Sequence, residues 1–366
     1  MKKSLLCVIA GLSILISSAQ KPDSLDIMIG QMIMIGIGDF DVLKKTEPVF
    51  EELKQGYAGG IIFFEKNINS AYPETYLKEI IDYSQEQSPI PLFVSIDEEG
   101  GLVNRLKPKY GFPKTVTAQY LGKIDNTDST SFYAYQTAST LYRLGFNLNF
   151  APSVDVNINL ENPIIGKVGR SFSSDPSQVA KHAAEVIKAH DSLGIVTALK
   201  HFPGHGSSKK DTHLGIADVS STWQMNEVFP YKILLDSGLV RMIMTAHIVN
   251  RIVEPEKLPA TLSKNVITGI LREFLKYDGV VISDDMQMGA ISKEYGLEES
   301  LIKSINAGVD IVLFASNVPD SQLVSAGQVH QIIKEKVLRG EIPKSRIEES
   351  YARIIKLKRS IGLSPE

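Results

Sequence analysis

The chain has 366 residues, 43% of them apolar and 22% charged, with a formal net charge of -3. That length can bury a large core, and so small a net charge gives no global field suited to nucleic acid or to an anionic membrane surface. A globular protein with a small-molecule or glycan partner is what these numbers leave.

At the N-terminus, Lys2 and Lys3 precede a mostly apolar run from Leu5 to Ile16, and Ser17-Ser18-Ala19 supply the small residues of a cleavage site. Residues 1–19 therefore read as a secretory signal peptide. A membrane anchor is the competing reading, but a run of about a dozen residues falls short of the ~20 that a bilayer needs. Cys7 lies ahead of most of the apolar run, which argues against lipid attachment. Cleavage would remove this only cysteine, leaving no disulfides or thiolate ligands, so a metal would have to rely on His and carboxylate. The expected mature protein is residues 20–366, exported to the periplasm or the medium, with no stable membrane insertion.

Along the rest of the chain, short β-rich runs alternate with longer stretches of helical periodicity. The candidate strands are Met32 to Ile35, Gly60 to Phe64, Leu92 to Ile96, Leu148 to Ala151, Val196 to Leu199, Met242 to Thr245, Val280 to Ser283 and Asp310 to Phe314. Between them lie amphipathic segments such as Pro176 to Leu193, where Val179, Ala183, Val186 and Ile187 fall at helical spacing behind Asp175 as N-cap. Eight such alternations predict an α/β fold, a single-domain (β/α)8 barrel, with Arg346 to Leu363 as its closing helix. An open doubly wound sheet is the rival, because buried parallel strands read alike in both.

Polar residues separate the two. Glu65 and Lys66, Asp97 and Glu98, Asp155, Lys200 and His201, His247, and Asp284 and Asp285 follow six of the candidate strands. In a barrel the C-terminal strand ends converge, which would gather these groups around one substrate. An open sheet would spread them along an edge.

Four ordered motifs carry a resemblance. Asp97-Glu98-Glu99-Gly100-Gly101, Gly169-Arg170-Ser171-Phe172, Lys200-His201-Phe202-Pro203-Gly204-His205-Gly206 with Asp211-Thr212-His213, and Ser283-Asp284-Asp285-Met286-Gln287-Met288 make the chain similar to glycoside hydrolase family 3. It most resembles the single-domain β-N-acetylglucosaminidase branch, over roughly residues 25 to 363. Leu102 departs from that branch, which usually carries a polar or basic residue there.

Retaining glycosidases need a carboxylate nucleophile and a second group about 5 Å away that protonates the leaving oxygen and later deprotonates water. Asp284 and Asp285 both stand where a nucleophile could, and either could instead cap the following turn; adjacent strand residues face opposite ways, so the two can divide these tasks. The resemblance implies Asp284 as the nucleophile. In Asp211-Thr212-His213 the carboxylate can orient the imidazole and favour its charged form, which makes His213 the expected acid/base and Asp211 its orienter. The resemblance implies the same dyad.

Two other readings of the histidine-rich loop are weaker. Pro203 and Gly204 interrupt any helical pairing of His201 with His205 as zinc ligands, and Gly204-His205-Gly206-Ser207-Ser208 lacks phosphate-loop spacing. No metal and no cofactor is expected. The resemblance places Asp97, Arg105, Arg170, Lys200 and His201 around the terminal sugar, where paired donors and acceptors suit hydroxyls; a salt bridge across the barrel mouth would explain each equally well. His247 and Asp155 are expected behind the contacting groups.

The expectation is an exo-acting, retaining β-N-acetylhexosaminidase acting on a glycan or glycopeptide. The alternatives are a β-glucosidase, a phosphorylase using the same Asp284 and His213, and a glycan-binding protein without turnover.

Overall fold

The computed structural model describes residues 24–38, 46–317 and 324–363. The signal segment inferred over residues 1–19 lies outside these. Eight parallel strands close into a barrel: β1 (Ile33–Gly36), β2 (Gly60–Phe63), β3 (Phe93–Ile96), β4 (Leu148–Asn149), β5 (Val196–Phe202), β6 (Met242–Thr245), β7 (Val280–Asp285) and β8 (Ile311–Phe314). They neighbour one another in chain order, and β8 pairs back onto β1 through Ile33 beside Val312. Every predicted strand forms, β5 running on through Phe202 and β7 through Asp285. The open-sheet alternative is excluded by closure.

Closure also explains the composition of the strands. Helices cover the outside of such a barrel and side chains fill its interior, so neither face meets water and the strands are continuously apolar. β2, β3, β6 and β8 are buried at every residue. Helix Pro176–Asp191 begins where the sequence places it: the Asp175 carboxylate accepts the Ser177 N–H at 2.9 Å, and Val179, Ala183 and Ile187 are buried. Among the described residues no helix is long and apolar enough to cross a membrane.

Two charged groups fasten the barrel at its N-terminal face. Lys358, on closing helix Lys344–Ser360, is fully buried. Its ammonium donates to Gln31 Oε1 at 2.6 Å and to the carbonyls of Gly59 at 2.8 Å and Pro91 at 2.6 Å. These acceptors stand just before β1, β2 and β3, so one side chain ties three strand entrances to the last helix. Burial pushes the Lys358 ammonium down to about 7. Asp310, at the entrance to β8, is likewise buried and receives Arg272 Nη2 at 2.7 Å and Arg346 Nη2 at 2.5 Å. It also accepts the Val281 N–H at 3.0 Å and the Ser350 hydroxyl at 2.8 Å.

Removing one member of a buried ion network strands the others. Asp310→Ala should therefore lower unfolding free energy by about 3–5 kcal/mol in a urea titration. Activity per folded molecule should hold, because residues at this face of a barrel serve stability. A loss below about 1 kcal/mol would show that Arg272 and Arg346 are adequately solvated without it.

Candidate active site

The opposite face, at the C-terminal strand ends, holds a cleft of about 1030 Å³. Ile62, Phe150, Met244 and Leu313, from four different strands or their ends, contribute apolar surface to it. Asp97, Arg105, Arg170, Lys200 and His201 all line this cleft, as do Asp284, Asp285 and His213.

Charged groups of alternating sign run along one wall. Lys200 Nζ lies 2.6 Å from Asp97 Oδ1 and 2.7 Å from Glu99 Oε1. Arg170 makes a two-pronged bond to Glu99, Nε to Oε2 at 2.9 Å and Nη2 to Oε1 at 2.7 Å. Arg105 approaches Asp97 Oδ2 at 3.4 Å. Burial works to raise the Asp97 and Glu99 carboxyls, but the cations outweigh it: Asp97 ends below its ordinary range beside Lys200 and Arg105, and Glu99 falls to about 2 beside Arg170 and Lys200. Glu99 lies inside the acidic run 97–99 and was not singled out from the sequence; its position as third acid beyond a strand is the only signal there.

Behind this wall sits Asp155, fully buried. It holds His201 Nδ1 at 2.6 Å and accepts the His205 N–H at 2.7 Å. The other His201 nitrogen, Nε2, is 3.2 Å from Arg170 Nη2. Burial raises the Asp155 carboxyl, and the His201 ring outweighs that effect, leaving it well below the usual range. His247 is also buried, between Thr261 Oγ1 at 2.8 Å and the Asp285 carbonyl at 3.0 Å. Both residues lie behind groups that line the cleft, Asp155 behind His201 and His247 behind Asp285.

The gathering of every strand-end charge around one substrate is corrected in part. Glu65 is taken up at the rim by Lys107 at 2.5 Å and Lys109 at 2.7 Å, and Lys66 donates to the Ser316 carbonyl at 2.9 Å. Glu98 turns away from the cleft and accepts Asn104 Nδ2 at 2.5 Å, the Arg105 N–H at 2.8 Å and the Leu106 N–H at 3.1 Å. Burial pushes its carboxyl up to about 7. The reason is alternation: with Asp97 facing the cleft, its neighbour faces the loop that carries Arg105. Leu102, at the tip of that loop, is exposed.

Asp284 and Asp285 do divide their surroundings. Asp285 caps the turn beyond β7, accepting the Gln287 N–H at 3.0 Å and the Ala315 N–H at 3.1 Å, and burial pushes it up to about 6. Asp284 accepts only the Asp285 N–H, at 2.8 Å, among the bonds described. Burial works to raise it, but the rings of His247, His201 and His213 bring it below the usual aspartate range. An ionised carboxylate open to the cleft can act as a nucleophile.

His213 is more than half exposed, with Nδ1 2.7 Å from Asp211 Oδ1. Engagement of Nδ1 leaves Nε2 as the nitrogen able to exchange a proton with a bound molecule. The loop is fixed beside the end of β7 by two backbone bonds, Gly289 N–H to the His213 carbonyl and Ala290 N–H to the Thr212 carbonyl, both 3.2 Å. A Cβ on Gly289 would come within 2.8 Å of the His213 carbonyl, so glycine there permits the approach. His205, by contrast, is buried with its ring 5.9 Å from that of His201. Among the described residues no three His, Cys, Asp or Glu side chains gather as metal ligands would.

The family profile described as glycosyl hydrolase family 3 N terminal domain matches residues 24–357. Beta-hexosaminidase A of Pseudoalteromonas piscicida is 31% identical over 385 residues, covering 95% of this chain and 63% of that protein. Beta-hexosaminidase LpqI of Mycobacterium tuberculosis is 32% identical over 281 residues, covering 74% of this chain and 69% of the relative. Among solved structures, a glycoside hydrolase family 3 beta-N-acetylglucosaminidase from Paenibacillus sp. superposes with a TM-score of 0.84 at 34% identity, covering 93% of this chain and 63% of the other. This chain thus spans less than two thirds of the length of the first and third of these.

Glu99→Gln tests the charged wall. Arg170 and Lys200 would lose their shared partner while remaining buried, so urea denaturation at neutral pH should show a loss of about 3–5 kcal/mol. Because the folded Glu99 carboxyl lies below its ordinary 4.5, at about 2, its contribution is present above pH 4.5 and lost as pH falls towards 2. The stability gap between wild type and variant should accordingly close on acidification; a gap unchanged down to low pH would assign the loss to packing.

Proposed function

Because this chain belongs to glycosyl hydrolase family 3, we propose that it is an exported, exo-acting, retaining β-N-acetylhexosaminidase that removes terminal β-linked N-acetylglucosamine from cell-wall or chitin-type glycans. The observation that carries this reading is the pairing, in one cleft, of Asp284 held below the usual aspartate range with an Asp211–His213 dyad bonded to the turn after the same strand. Relatives named beta-hexosaminidase support the choice of sugar.

In the proposed reaction, an Asp284 oxygen attacks the anomeric carbon as the glycosidic bond breaks, and His213 Nε2–H protonates the departing oxygen. The covalent glycosyl-enzyme is then opened by water, whose proton returns to His213 Nε2 as the hydroxyl joins the anomeric carbon and Asp284 leaves. Both substitutions invert that carbon, so configuration is retained. Asp211 keeps the ring oriented through Nδ1, leaving Nε2 to give the proton in the first step and to take it back in the second. Asp97, Arg105, Arg170, Lys200 and His201 serve the sugar hydroxyls. Arg170 and Lys200 are already held by Glu99, which fixes their donors before a sugar arrives.

Asp284→Asn should abolish release of N-acetylglucosamine from a nitrophenyl β-glycoside while leaving the fold intact, and azide should restore turnover by taking the nucleophile's place. Asp285→Asn is the comparison. Near-normal turnover by Asp284→Asn would transfer the role elsewhere, a preference for the glucoside would favour a β-glucosidase, and sugar 1-phosphate formed on adding phosphate would make the enzyme a phosphorylase.

Export is tested separately. Expressed with its own N-terminus in a Gram-negative host, the protein should appear in the periplasm with a sequence beginning near Gln20. Soluble product retaining residues 1–19 would count against a cleaved signal.

A further inference from the structure

The end of β5 carries His201 and the segment from there to Gly215 carries His205, Asp211 and His213; the base of that segment rests on a side chain from another part of the chain. Glu227, in the short helical turn Met225–Val228, is fully buried. Its Oε2 accepts the Ser207 N–H at 3.2 Å, and its Oε1 accepts the Gln224 N–H at 3.4 Å. Gly204 passes so close that a Cβ there would lie 2.5 Å from Glu227 Cβ, and its φ of +115° is one that few residues other than glycine adopt. The loop backbone is therefore moulded onto this carboxyl at two points.

A buried carboxyl is a costly choice for holding a loop. Among the described residues Glu227 makes no ion pair, and burial pushes its carboxyl up to about 7, with Asp155 adding to the effect. An amide side chain would avoid that cost but has one acceptor oxygen, whereas the carboxyl accepts two backbone N–H groups with two oxygens. The surroundings leave the loop base room to re-pair, since His205 Nδ1, Ser207 Oγ and Tyr231 Oη are buried without hydrogen-bond partners among the described residues. From this base, contacts run to the tip. His205 Nε2 reaches Thr212 Oγ1 at 3.4 Å, and the Thr212 and His213 carbonyls dock on Ala290 and Gly289.

We infer that Glu227 is a positioning residue for the acid/base: by holding the Ser207 and Gln224 amides at once, it sets the base of the 203–213 loop and thereby where His213 stands over the leaving oxygen. The inference rests on the proposed role of His213. Glu227 touches no substrate and acts through the loop.

The test uses leaving groups of different basicity, because an activated phenol departs without protonation while an alkoxide does not. Glu227→Gln should lower kcat/KM for methyl β-N-acetylglucosaminide by about 10²-fold, as small displacements of a reacting group do, and change the nitrophenyl glycoside little. His213→Ala should show the same pattern, and the double variant should be no slower on the methyl glycoside than His213→Ala alone. Should Glu227→Gln not fold, Glu227→Asp keeps both oxygens one methylene short and carries the same comparison. Equal slowing of both substrates, no slowing of either, or a double variant that multiplies the single losses would overturn the positioning role while leaving His213 as acid/base. Uniform slowing by His213→Ala would overturn the acid/base assignment itself, and this inference with it.

Discussion

Asp155 is the group on which the functional face depends. Its carboxylate, fully buried, holds the His201 ring and the His205 amide, and so fixes the end of β5 just where the chain leaves the barrel for the loop bearing His213. A charge taken so far from water persists only with its bonding capacity filled. Asp155 fills it with the Ser153 hydroxyl at 3.1 Å and with groups from β5 and beyond: the His201 ring, its backbone N–H at 3.3 Å, and the His205 N–H. The same bonds dictate which face of His201 is left for Arg170, and through Arg170 the position of Glu99 and Lys200.

Seen from there, the two ends of the barrel use buried charge for different purposes. At the N-terminal face, Asp310 and Lys358 are enclosed and their partners are strand entrances and the closing helix, so their energy goes into closure. At the C-terminal face the pairs line a cleft. Lys200 and Arg170 are nearly enclosed beside Glu99, whereas Asp97 and Arg105 retain more exposure and a longer mutual contact of 3.4 Å. Held donors with exchangeable partners at the rim are what a polyhydroxylated ligand requires: the wall does not reorganise, and the rim groups can trade one partner for another.

The proposed acid/base differs from the other charged groups of the cleft wall in being more than half exposed, and it is carried on a loop. Two backbone bonds at the tip and one carboxyl at the base confine it, which gives a mobile class of element a defined place beside Asp284.

Much of this was legible in the sequence. Eight apolar runs separated by helical periods specify a parallel α/β fold, because strands covered on both faces admit almost nothing polar, and the residues following those runs mark the functional end. The acid pair at 284–285 and the Asp-Thr-His triplet offer a carboxylate and a carboxylate-paired imidazole by residue type and spacing, and the family resemblance is what gave them roles. Periodicity could not decide closure over an open sheet, since the β8-to-β1 pairing joins residues nearly three hundred positions apart. Nor could it say how neighbouring acids divide their partners: Glu98 and Glu99, like Asp284 and Asp285, are chemically alike and are told apart only by the direction of a strand end and by the groups that long-range packing brings to each of them. Glu227 left no mark at all, because a carboxyl whose partners are backbone amides of a distant loop has no sequence pattern. Local chemistry set what each residue could do, and the tertiary structure decided which of them meet, because burial and hydrogen bonding are satisfied across the barrel and not along the chain.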